Sequence, residues 1–445
     1  MRRHIVIVGG GFGGTALARA LERRLPAGWQ ITLVSEESYT TFNPLLAEVV
    51  GAAVFPEQVV VPIRQMLARC RFVMGRVTAV DRQAGTLRAD TLAGALELPF
   101  DHLVLAFGTR ADLDLVPGLA EHALPLKLVG DAMFIRNRVL QRVARMELES
   151  DAQRRRQLGR FVVIGGGFSG VEVAGALADF LRGALRFYPR VSPGEVGVTL
   201  LHDGDRLLTE LPASLGKAAA SSLMQRGVDV RLGARAAAVN AAEVQLTGGG
   251  GVETATVVCT IGTRANPLVE QLRLPLQRGR IAVAPDLSVP EAPGLWALGD
   301  CALVRNAADG SFCPPTAQFA VAQARVLADN LLATVEQRPT RAFGHRSRGV
   351  MATTGHLKGV AQVGALRLSG LPAWLLWRAW YLLLMPTPGR KLRIWVEWTW
   401  SMFFSADITH LRFTRTSEAD AGPASPPPPL FPAPSLTTEE RVHAA

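Results

Sequence analysis

Cysteine is scarce in this sequence, and its few copies are not spaced as metal ligands or disulfide partners. The 445 residues include four cysteines, Cys70, Cys259, Cys301 and Cys313. None of them forms a C-x-x-C pair, and none is grouped with histidine as zinc ligands are. We therefore expect no disulfide framework and no metal site, as in a reduced intracellular protein.

A long apolar run is also missing, and we expect no leader segment. The most apolar run, Leu371 to Met385, has 15 residues and contains Arg378, whereas spanning a bilayer takes ~20 residues. The first strand begins within a few residues of Met1, which leaves no space for a charged segment, an apolar core and a cleavage site. These patterns predict neither a spanning helix nor export.

Basic residues outnumber acidic ones, 48 to 38, for a net charge of +10. That balance suits anionic lipid, nucleic acid or phosphorylated substrates, and charge alone does not choose among them. The hydrophobic fraction of 48% is sufficient for buried cores. The length exceeds what one core fills, so two or three domains are expected.

Glycine is abundant, and it is concentrated in two copies of one motif. G-x-G-x-x-G occurs at residues 9–14 and again at 165–170, each time after a short β-branched run. In dinucleotide-binding folds these glycines allow a tight turn, close approach of the backbone to a pyrophosphate, and helix packing on the strand. The helix N-terminus then faces the phosphates.

The sequence therefore predicts an α/β fold with two Rossmann-type dinucleotide-binding domains. A glycine-rich strand-to-helix turn without a ligand is the alternative. The turn residues expected to bind are Gly9, Gly11, Phe12, Gly13 and Gly14 in the first copy, and Gly165, Gly167, Phe168 and Gly170 in the second.

Each unit has an acid near the end of its second strand, where a carboxylate would hold a ribose hydroxyl. These acids are Glu36 and Asp203, and each comes one residue later than expected, after Ser35 and His202. A solvated turn residue is the alternative for Glu36. Because histidine could tolerate a 2′-phosphate, we expect NADH and leave NADPH open.

Two segments, 103–109 and 257–263, share a pattern of an apolar strand followed by Gly-Thr. Each resembles the crossing by which flavoproteins with two dinucleotides pass the chain between domains. A plain buried strand ending in a turn is the alternative. The residues expected beside a cofactor are Ala106, Gly108, Thr109 and Gly262.

A further apolar strand ends at Gly299 and Asp300. In flavoproteins of this kind, such an aspartate binds the ribityl chain of FAD. The carboxyl end of a strand is also where α/β sheets place ligand contacts. A helix-capping aspartate is the alternative.

Together these features resemble the type II NADH:quinone oxidoreductases, single-chain respiratory NADH dehydrogenases that pump no protons. The resemblance extends over roughly residues 3 to 412. It implies FAD at the first glycine motif and NADH at the second. Residues 42–49 resemble the family's loop near the flavin, which implies flavin contacts from Pro44 and Leu45.

Residues 314–323 resemble the family's quinone-site segment, which implies that Ala317 and Gln318 lie at the cofactor and quinone. A common form of that segment has a second glutamine at the place of Ala322, but here it is Gln323. We therefore expect Gln318 rather than Gln323 in the quinone pocket. A glutamine capping or lining a helix is the alternative.

Glu172 matches a family glutamate that lies near nicotinamide, flavin and quinone. The resemblance implies that its carboxylate orients the nicotinamide amide or relays protons to the reduced quinone. The alternative is a glutamate in the first turn of a helix, favoured there by the helix dipole.

Six of the eight tryptophans fall within a 27-residue window, at Trp374, Trp377, Trp380, Trp395, Trp398 and Trp400. The first three repeat every three residues and share one helical side, while Arg390, Lys391 and Arg393 supply cations for anionic lipid. Two amphipathic elements, Leu371–Met385 and Ile394–Phe404, are joined at 386–389. They predict monotopic membrane attachment through residues 371–412. The alternative is a tryptophan-rich homodimer interface, and both can hold at once.

The resemblance implies an FAD-dependent NADH:quinone oxidoreductase. NADH would transfer hydride to flavin N5, and two electrons would then pass to a membrane quinone. One alternative is a sulfide:quinone oxidoreductase, a class that uses a redox-active cysteine whose spacing is missing here. The other is a flavin- and NADH-binding sensor that acts through a partner.

The predicted organisation has two cofactor domains followed by a C-terminal region. Residues 1–115 and 281–345 form the FAD domain, and 116–280 form the NADH domain. Residues 346–415 form a membrane-anchoring or dimerisation region, and 416–445 form a disordered Pro-rich tail. We expect a peripheral protein at the cytoplasmic face of the cell membrane, without a nucleic-acid partner.

Overall fold

The computed structural model describes residues 3–272, 274–404 and 406–411. Residues up to Ile408 belong to one unit of the chain, and a second unit begins at Thr409. The predicted tail at 416–445 and residue 412 of the predicted attachment segment lie outside the described residues.

The α-helices and strands in the described part of the chain are numbered in chain order. The helices are α1 Phe12–Leu21, α2 Leu46–Val50, α3 Ile63–Met66, α4 Leu119–His122, α5 Val129–Leu148, α6 Ala152–Gly159, α7 Phe168–Ala184, α8 Ala213–Gln225, α9 Leu268–Gln271, α10 Ala317–Val335, α11 Leu371–Leu384 and α12 Pro388–Phe403. The strands are β1 Arg3–Val8, β2 Trp29–Ser35, β3 Tyr39–Thr41, β4 Val60–Pro62, β5 Arg71–Asp81, β6 Thr86–Thr91, β7 Gly94–Pro99, β8 His102–Leu105, β9 Thr109–Ala111, β10 Ala123–Pro125, β11 Arg160–Ile164, β12 Gly197–Leu201, β13 Val228–Arg231, β14 Ala236–Val239, β15 Glu243–Leu246, β16 Gly251–Glu253, β17 Thr256–Cys259, β18 Thr263–Ala265, β19 Leu276–Gln277, β20 Arg280–Ala282, β21 Leu295–Ala297, β22 Ala302–Leu303, β23 Val350–Thr353, β24 Gly359–Val363 and β25 Leu366–Gly370.

The first glycine motif belongs to a seven-stranded sheet of order β21-β8-β1-β2-β5-β6-β7. The strands from β21 to β5 run parallel, and β6 and β7 extend the sheet as an antiparallel ribbon. β1 is buried along almost its whole length, as expected for a parallel strand covered on both faces. α1 and α10 pack together beside it, because Gly13 approaches Ala320 closely. The fold is therefore α/β, as predicted.

The second glycine motif belongs to a five-stranded parallel sheet of order β10-β17-β11-β12-β13. The order β17-β11-β12-β13 repeats β8-β1-β2-β5 of the first sheet. In the first sheet the glycine turn follows β1, which lies between β8 and β2, and in the second it follows β11, which lies between β17 and β12. The two copies are therefore equivalent in topology as well as in sequence.

The chain crosses between the two sheets on a short two-stranded ribbon. β9 follows β8 and β18 follows β17, and the two pair antiparallel, with Thr109 opposite Ala265 and Thr263 opposite Ala111. Both predicted Gly-Thr segments therefore lie at a crossing, and neither is a plain buried strand ending in a turn.

The polar stretch that follows β10 forms two consecutive helices, α5 and α6. α5 ends at Leu148, and Asp151 begins α6 by accepting hydrogen bonds from the backbone amides of Gln153 and Arg154. A short acidic side chain at this position caps a new helix more readily than it continues an old one.

The C-terminal region is an antiparallel sheet, β23-β24-β25, followed by α11 and α12. α12 begins at Pro388, within the predicted connection, because proline is well suited to the first position of a helix. Side chains of α2, α5, α7, α11 and α12 share one buried hydrophobic cluster. None of the helices in the described residues has the length and apolar character needed to cross a membrane.

Candidate active site

The two glycine turns form matching cradles in front of α1 and α7. Gly9 and Gly165 have φ of +115° and +120°, values that favour glycine. A Cβ on Gly14 or Gly170 would collide with the carbonyl oxygen of Gly9 or Gly165 respectively. These four glycines are therefore required for the turn itself.

Gly11 and Gly167 have a different role, because a Cβ on either would meet no atom within 4 Å. Each is the N-cap of its helix, and neither helix has a side-chain cap. The first backbone N–H groups of both helices therefore face open space, as anion binding requires. The residues present fit a pyrophosphate at both turns.

The acids at the strand ends, Glu36 and Asp203, lie outside the two glycine turns. The residues before them, Ser35 and His202, lie against the turns. A Cβ on Gly10 would touch Ser35 Oγ, and one on Gly166 would touch the His202 ring. The amide of Gly166 donates to His202 Nδ1 over 3.3 Å. Ser35 and His202 therefore occupy the positions next to the glycine turns, and the acids follow one residue later.

Glu36 and Asp203 have different surroundings. Glu36 accepts a hydrogen bond from Arg110 at 2.8 Å and lies 3.7 Å from Arg76 Nε, so it is not a freely solvated turn residue. Asp203 is largely exposed and lies 3.4 Å from His202 Nδ1. Ribose binding by either acid stays a prediction.

Asp300 lies on a 3-10 turn, Gly299–Cys301, that follows β21. Burial raises the pKa of its carboxyl, and the positive charges of Lys127 and Arg280 oppose that rise. The carboxyl has no hydrogen bond to any residue that the structure describes and caps no helix there. The side chain therefore has acceptor capacity for a ligand hydroxyl.

Gln323 stabilises the turn that carries Asp300. Its side chain is buried, and its Oε1 accepts the backbone N–H of Gly299 at 2.7 Å. The Gln323 side chain therefore fixes the backbone next to Asp300, and the choice of Gln318 over Gln323 for the quinone pocket stays a prediction.

Gln318 and Ala317 form the start of α10, which Thr316 caps. Gln318 is only partly buried, and its Oε1 accepts a hydrogen bond from Ser347 Oγ at 3.2 Å. Gln318 and Glu172 share no hydrogen bond, so a joint role at a quinone stays a prediction.

Four residues predicted to lie beside a cofactor are found at the crossing ribbon or just before its strands. They are Ala106, Gly108, Thr109 and Gly262. Gly108 and Gly262 have positive φ, and a Cβ on Gly9 would collide with the carbonyl of Ala106. Lys127, which the sequence did not single out, donates to Thr109 Oγ1 over 3.3 Å and acts electrostatically on Asp300. The ribbon and the Asp300 turn are thus electrostatically linked.

The loop after β3 connects the first glycine turn to the C-terminal helices. Pro44 and Leu45 lie on a 3-10 turn, Asn43–Leu45, and Leu45 is fully buried. Phe42 contacts the ring of Phe12 at a centroid distance of 5.6 Å and that of Tyr381 at 5.9 Å. One aromatic series therefore runs from the start of α1 to α11.

Glu172 is the fifth residue of α7, beyond its first turn, so the first-turn alternative is wrong. The residue is 9% exposed. Its Oε1 accepts the backbone N–H of Thr353 at 3.1 Å and the indole N–H of Trp377 at 3.2 Å. Both donors come from the C-terminal region, so that region builds the environment of this carboxyl.

Burial raises the pKa of Glu172 to about 8. The hydrogen bonds from Thr353 and Trp377 oppose this rise, and the nearby negative charge of Glu48 adds to it. Glu172 is therefore a buried acid that takes up or releases its proton near neutral pH, which is what a general acid or base needs.

The tryptophans of α11 do not form an exposed face, contrary to their use as a membrane surface. Trp374 and Trp377 are 1% exposed and Trp398 is 3% exposed, and all three pack into the protein. Trp374 and Trp377 therefore lie on the side of α11 that faces the core, whereas Trp380, the third of the series, is only partly buried. Trp395 and Trp400 are exposed together with other apolar side chains of the two helices.

Arg378 lies between two of the buried indoles. Its guanidinium carbon is 3.8 Å from the ring centroid of Trp374 and 4.9 Å from that of Trp398, and Nη1 donates to the Trp398 carbonyl at 3.2 Å. Burial lowers the pKa of Arg378 to about 10, and the charge of Glu48 opposes this. In the sequence Arg378 appears only as a charge within the apolar run, and no local pattern places it between two indoles.

The four cysteines are free thiols, and three of them are buried. The described residues contain no cluster of His, Cys, Asp and Glu able to hold a metal ion.

Comparison with known proteins identifies one family, and it finds relatives similar in sequence and solved structures similar in fold. The family model described as pyridine nucleotide-disulphide oxidoreductase matches residues 3–324. The type II NADH:quinone oxidoreductase Ndh of Mycobacterium tuberculosis is 32% identical over 418 residues, 89% of this chain and 88% of that protein.

Two solved structures have a similar fold. The structure of NDH2 from Plasmodium falciparum in complex with NADH has a TM-score of 0.85 at 17% identity, over 92% of this chain and all of that one. The sulfide:quinone oxidoreductase of Aquifex aeolicus has a TM-score of 0.68 at 16% identity, over 93% of this chain and all of that one. Fold alone therefore does not separate the two chemistries.

Proposed function

Since the chain belongs to the type II NADH:quinone oxidoreductases, within the pyridine nucleotide-disulphide oxidoreductase family, we propose that its two glycine cradles serve one reaction, from NADH to a quinone. The protein is an FAD-dependent NADH:quinone oxidoreductase. The observation that carries this function is the pair of open helix N-termini at Gly11 and Gly167, on equivalent sheets joined by a crossing ribbon.

The first cradle would hold FAD, and the second would hold NADH. Asp300 is suited to a ribityl hydroxyl, because its carboxyl is partly buried and has no hydrogen bond to the described residues. Bound flavin supplies the ability to accept a hydride and pass on its electrons. Gly167 and the first backbone amides of α7 would bind the nicotinamide dinucleotide transiently, until its hydride has been transferred.

The proposed domain limits follow the two large sheets, but the limit after residue 280 falls within β20, which pairs with β19 on one side and β22 on the other. Residues 1–115 and 281–345 would form the FAD domain, since β21 pairs with β8 of the same sheet. Residues 116–280 would form the NADH domain, and 346–415 the attachment region.

Glu172 and Gln318 are the proposed residues on the quinone side. The proton affinity of Glu172 near neutral pH suits it to hold or release a proton at a quinone oxygen. The Gln318 amide is suited to hydrogen-bond a quinone carbonyl, because it is only partly buried and has one partner in the described part of the chain.

We further propose that α11 and α12 attach the protein to anionic lipid through their outer faces. Large apolar side chains there are exposed, at Leu371, Leu375, Leu383, Leu384, Leu392, Trp395, Val396, Trp400, Met402, Phe403 and Phe404. An exposed apolar patch of this kind indicates an interaction surface. Arg390, Lys391 and Arg393 add positive charge, which suits the cytoplasmic leaflet. The same surface would suit a homodimer contact.

The reaction is tested with purified, FAD-loaded protein under anaerobic conditions. NADH should bleach the visible flavin absorbance, and a soluble quinone should then restore it. Sulfide in place of NADH should cause no quinone reduction. Sulfide-dependent reduction without NADH would replace this function with the sulfide:quinone reaction. Flavin that NADH bleaches but no quinone reoxidises would favour a sensor.

A further inference from the structure

A second buried carboxyl, Glu48, lies beside Glu172. Glu48 is on α2, and its Oε2 is buried without a hydrogen-bond partner among the described residues. Arg378 acts on it electrostatically, yet no ion pair within 4 Å joins the two in the described structure, because the guanidinium lies between Trp374 and Trp398. A carboxyl in such a place is favoured in its neutral, protonated form.

The two helices that carry the carboxyls are in direct contact. A Cβ on Gly51, at the end of α2, would lie 3.1 Å from the Cβ of Ala176 on α7. Glu48 precedes Gly51 by three residues and Glu172 precedes Ala176 by four, so each carboxylate lies one turn from this contact. The negative charge of Glu48 raises the pKa of Glu172, which is consistent with their closeness.

The two carboxyls differ in access to solvent. Glu172 is buried, whereas part of Glu48 reaches the surface although its Oε2 does not. Glu48 is therefore the residue of the pair with more access to solvent, as the first site of a proton path from water requires.

Resting on the function proposed above, we propose that Glu48 holds the proton that replenishes Glu172 during quinone reduction. The net reaction is NADH + H⁺ + quinone → NAD⁺ + quinol, so each turnover takes up one proton from solution. The O–H bond of Glu172 breaks as its proton passes to a quinone oxygen. The proton of Glu48 then moves to the Glu172 carboxylate, and water reprotonates Glu48.

The carboxyls of Glu48 and Glu172 are expected to hold a proton between them over a wide pH range. Two close carboxylates resist being ionised together, so their protons leave in two coupled steps. Burial raises the pKa of Glu48, the Arg378 charge and the Trp398 indole oppose this, and Asp179 adds to it. The other titratable groups around the pair are Tyr381, whose pKa is raised by burial and by Glu172, and His356, whose pKa is lowered by burial and by Arg378.

The test uses full-length, FAD-loaded protein and three variants, Glu48→Gln, Glu48→Asp and Glu22→Gln. Glu22 is the matched control, because it is also a buried carboxylate, held by the amides of Ala68 and Arg69 at 2.9 Å each, and it belongs to neither proposed site. Rapid mixing would separate flavin reduction by NADH from its reoxidation by a soluble quinone, across pH 5 to 9.

Glu48→Gln should leave reduction by NADH within about twofold of wild type. It should slow reoxidation about tenfold at alkaline pH, with little change at acid pH, consistent with the loss of a proton donor. The alkaline limb should also move to lower pH, because a neutral neighbour no longer raises the pKa of Glu172. Glu48→Asp should recover much of the loss, and Glu22→Gln should show none.

Infrared spectra give a readout that does not depend on turnover. The carbonyl band of a protonated carboxylic acid in the oxidised protein should weaken in Glu48→Gln and persist in Glu22→Gln. A wild-type pH profile and an unchanged band in Glu48→Gln would overturn the inference, even if the wild-type protein reduces quinone. Failure of the wild-type protein to reduce quinone would instead overturn the proposed function.

Discussion

Glu172 shows how one buried side chain links the pH of the solution to the stability of the fold. The folded protein keeps the proton of this carboxyl up to about pH 8, whereas an ordinary glutamate loses it near 4.5. Between these values the folded state binds the extra proton. The contribution of this proton to the free energy of unfolding is therefore fully present below the unfolded pKa, and it is lost as pH rises through the folded pKa.

The first prediction concerns Glu172→Gln. The free energy of unfolding of the wild type should fall between pH 5 and 8, by up to about 1.4 kcal/mol per pH unit for the one proton. The amide does not titrate, so the variant should have a flatter dependence, apart from the contribution of Glu48. Denaturant unfolding across this range measures it, and equal slopes in the two proteins would contradict the raised pKa.

Single residues were the level at which the sequence was least informative. The family resemblance singled out Glu172, but its hydrogen bonds to Thr353 and Trp377 join positions some 180 and 205 residues apart, which no local pattern encodes. Glu48 lies within the loop motif at residues 42–49, and the motif gives it no separate role. Its signal was a lone acid within the apolar run Leu45–Val50, and the facing helix that buries it could not be read from the chain.

Among the elements, the two strand-turn-helix units were the most predictable. The strands, both glycine turns, both crossings and the Asp300 turn lie where the motifs indicated, because glycine geometry and β-branched runs are local signals. The break between α5 and α6 and the inward side of α11 were not foreseen. A cap such as Asp151 and the choice of which helical side faces the core depend on neighbours distant in sequence.

The second prediction separates the two roles of glycine within one turn. Gly167→Ala should fold normally, because its backbone φ of −77° suits alanine and the added methyl meets no protein atom. It should weaken NADH binding about tenfold or more, or about 1.4 kcal/mol, because the methyl occupies the space in front of the helix.

Gly170→Ala is the matched comparison. Its methyl would collide with the carbonyl of Gly165, so we expect a loss of about 1–3 kcal/mol in the free energy of unfolding. Nucleotide titration together with denaturant unfolding measures both variants. A destabilised Gly167→Ala that retains full NADH affinity would argue against the cradle.

The third prediction tests attachment by α11 and α12. Leu383 and Phe403 are 70% and 76% exposed, so their joint change to serine should leave unfolding unaltered. It should weaken co-sedimentation with phosphatidylglycerol vesicles about a hundredfold, from ~3 kcal/mol of lost apolar burial. The control pair for the same double change is Leu92, in the turn between β6 and β7, and Leu148, at the end of α5, which are 79% and 84% exposed. Equal vesicle binding by both double variants would place attachment elsewhere.

At the scale of the whole molecule, charge and apolar surface should act together at a membrane. The chain carries a net charge of +10, and attraction to anionic lipid falls off within a Debye length that shortens as salt is added. The apolar contribution does not weaken in this way. Surface attachment should therefore have a salt-sensitive and a salt-resistant part.

The fourth prediction follows from that division. Binding to phosphatidylglycerol vesicles should weaken as sodium chloride rises from about 0.05 to 0.5 M and then level off, whereas binding to neutral phosphatidylcholine vesicles should change little. Sedimentation at a series of salt concentrations measures both. Complete release from anionic vesicles at high salt would show that the apolar face of α11 and α12 contributes nothing.

The hydrogen bonds from Thr353 and Trp377 to Glu172 also limit how this protein can be recombined. The segment beyond residue 345 is not an exchangeable module, since its indole and backbone amides complete a carboxyl site that begins in α7. A chimera that took only the C-terminal helices from a relative would set foreign side chains against Glu48 and Glu172. Such grafts should succeed only when α2, α7 and the C-terminal helices are inherited together, so these distant stretches of sequence are expected to change in concert.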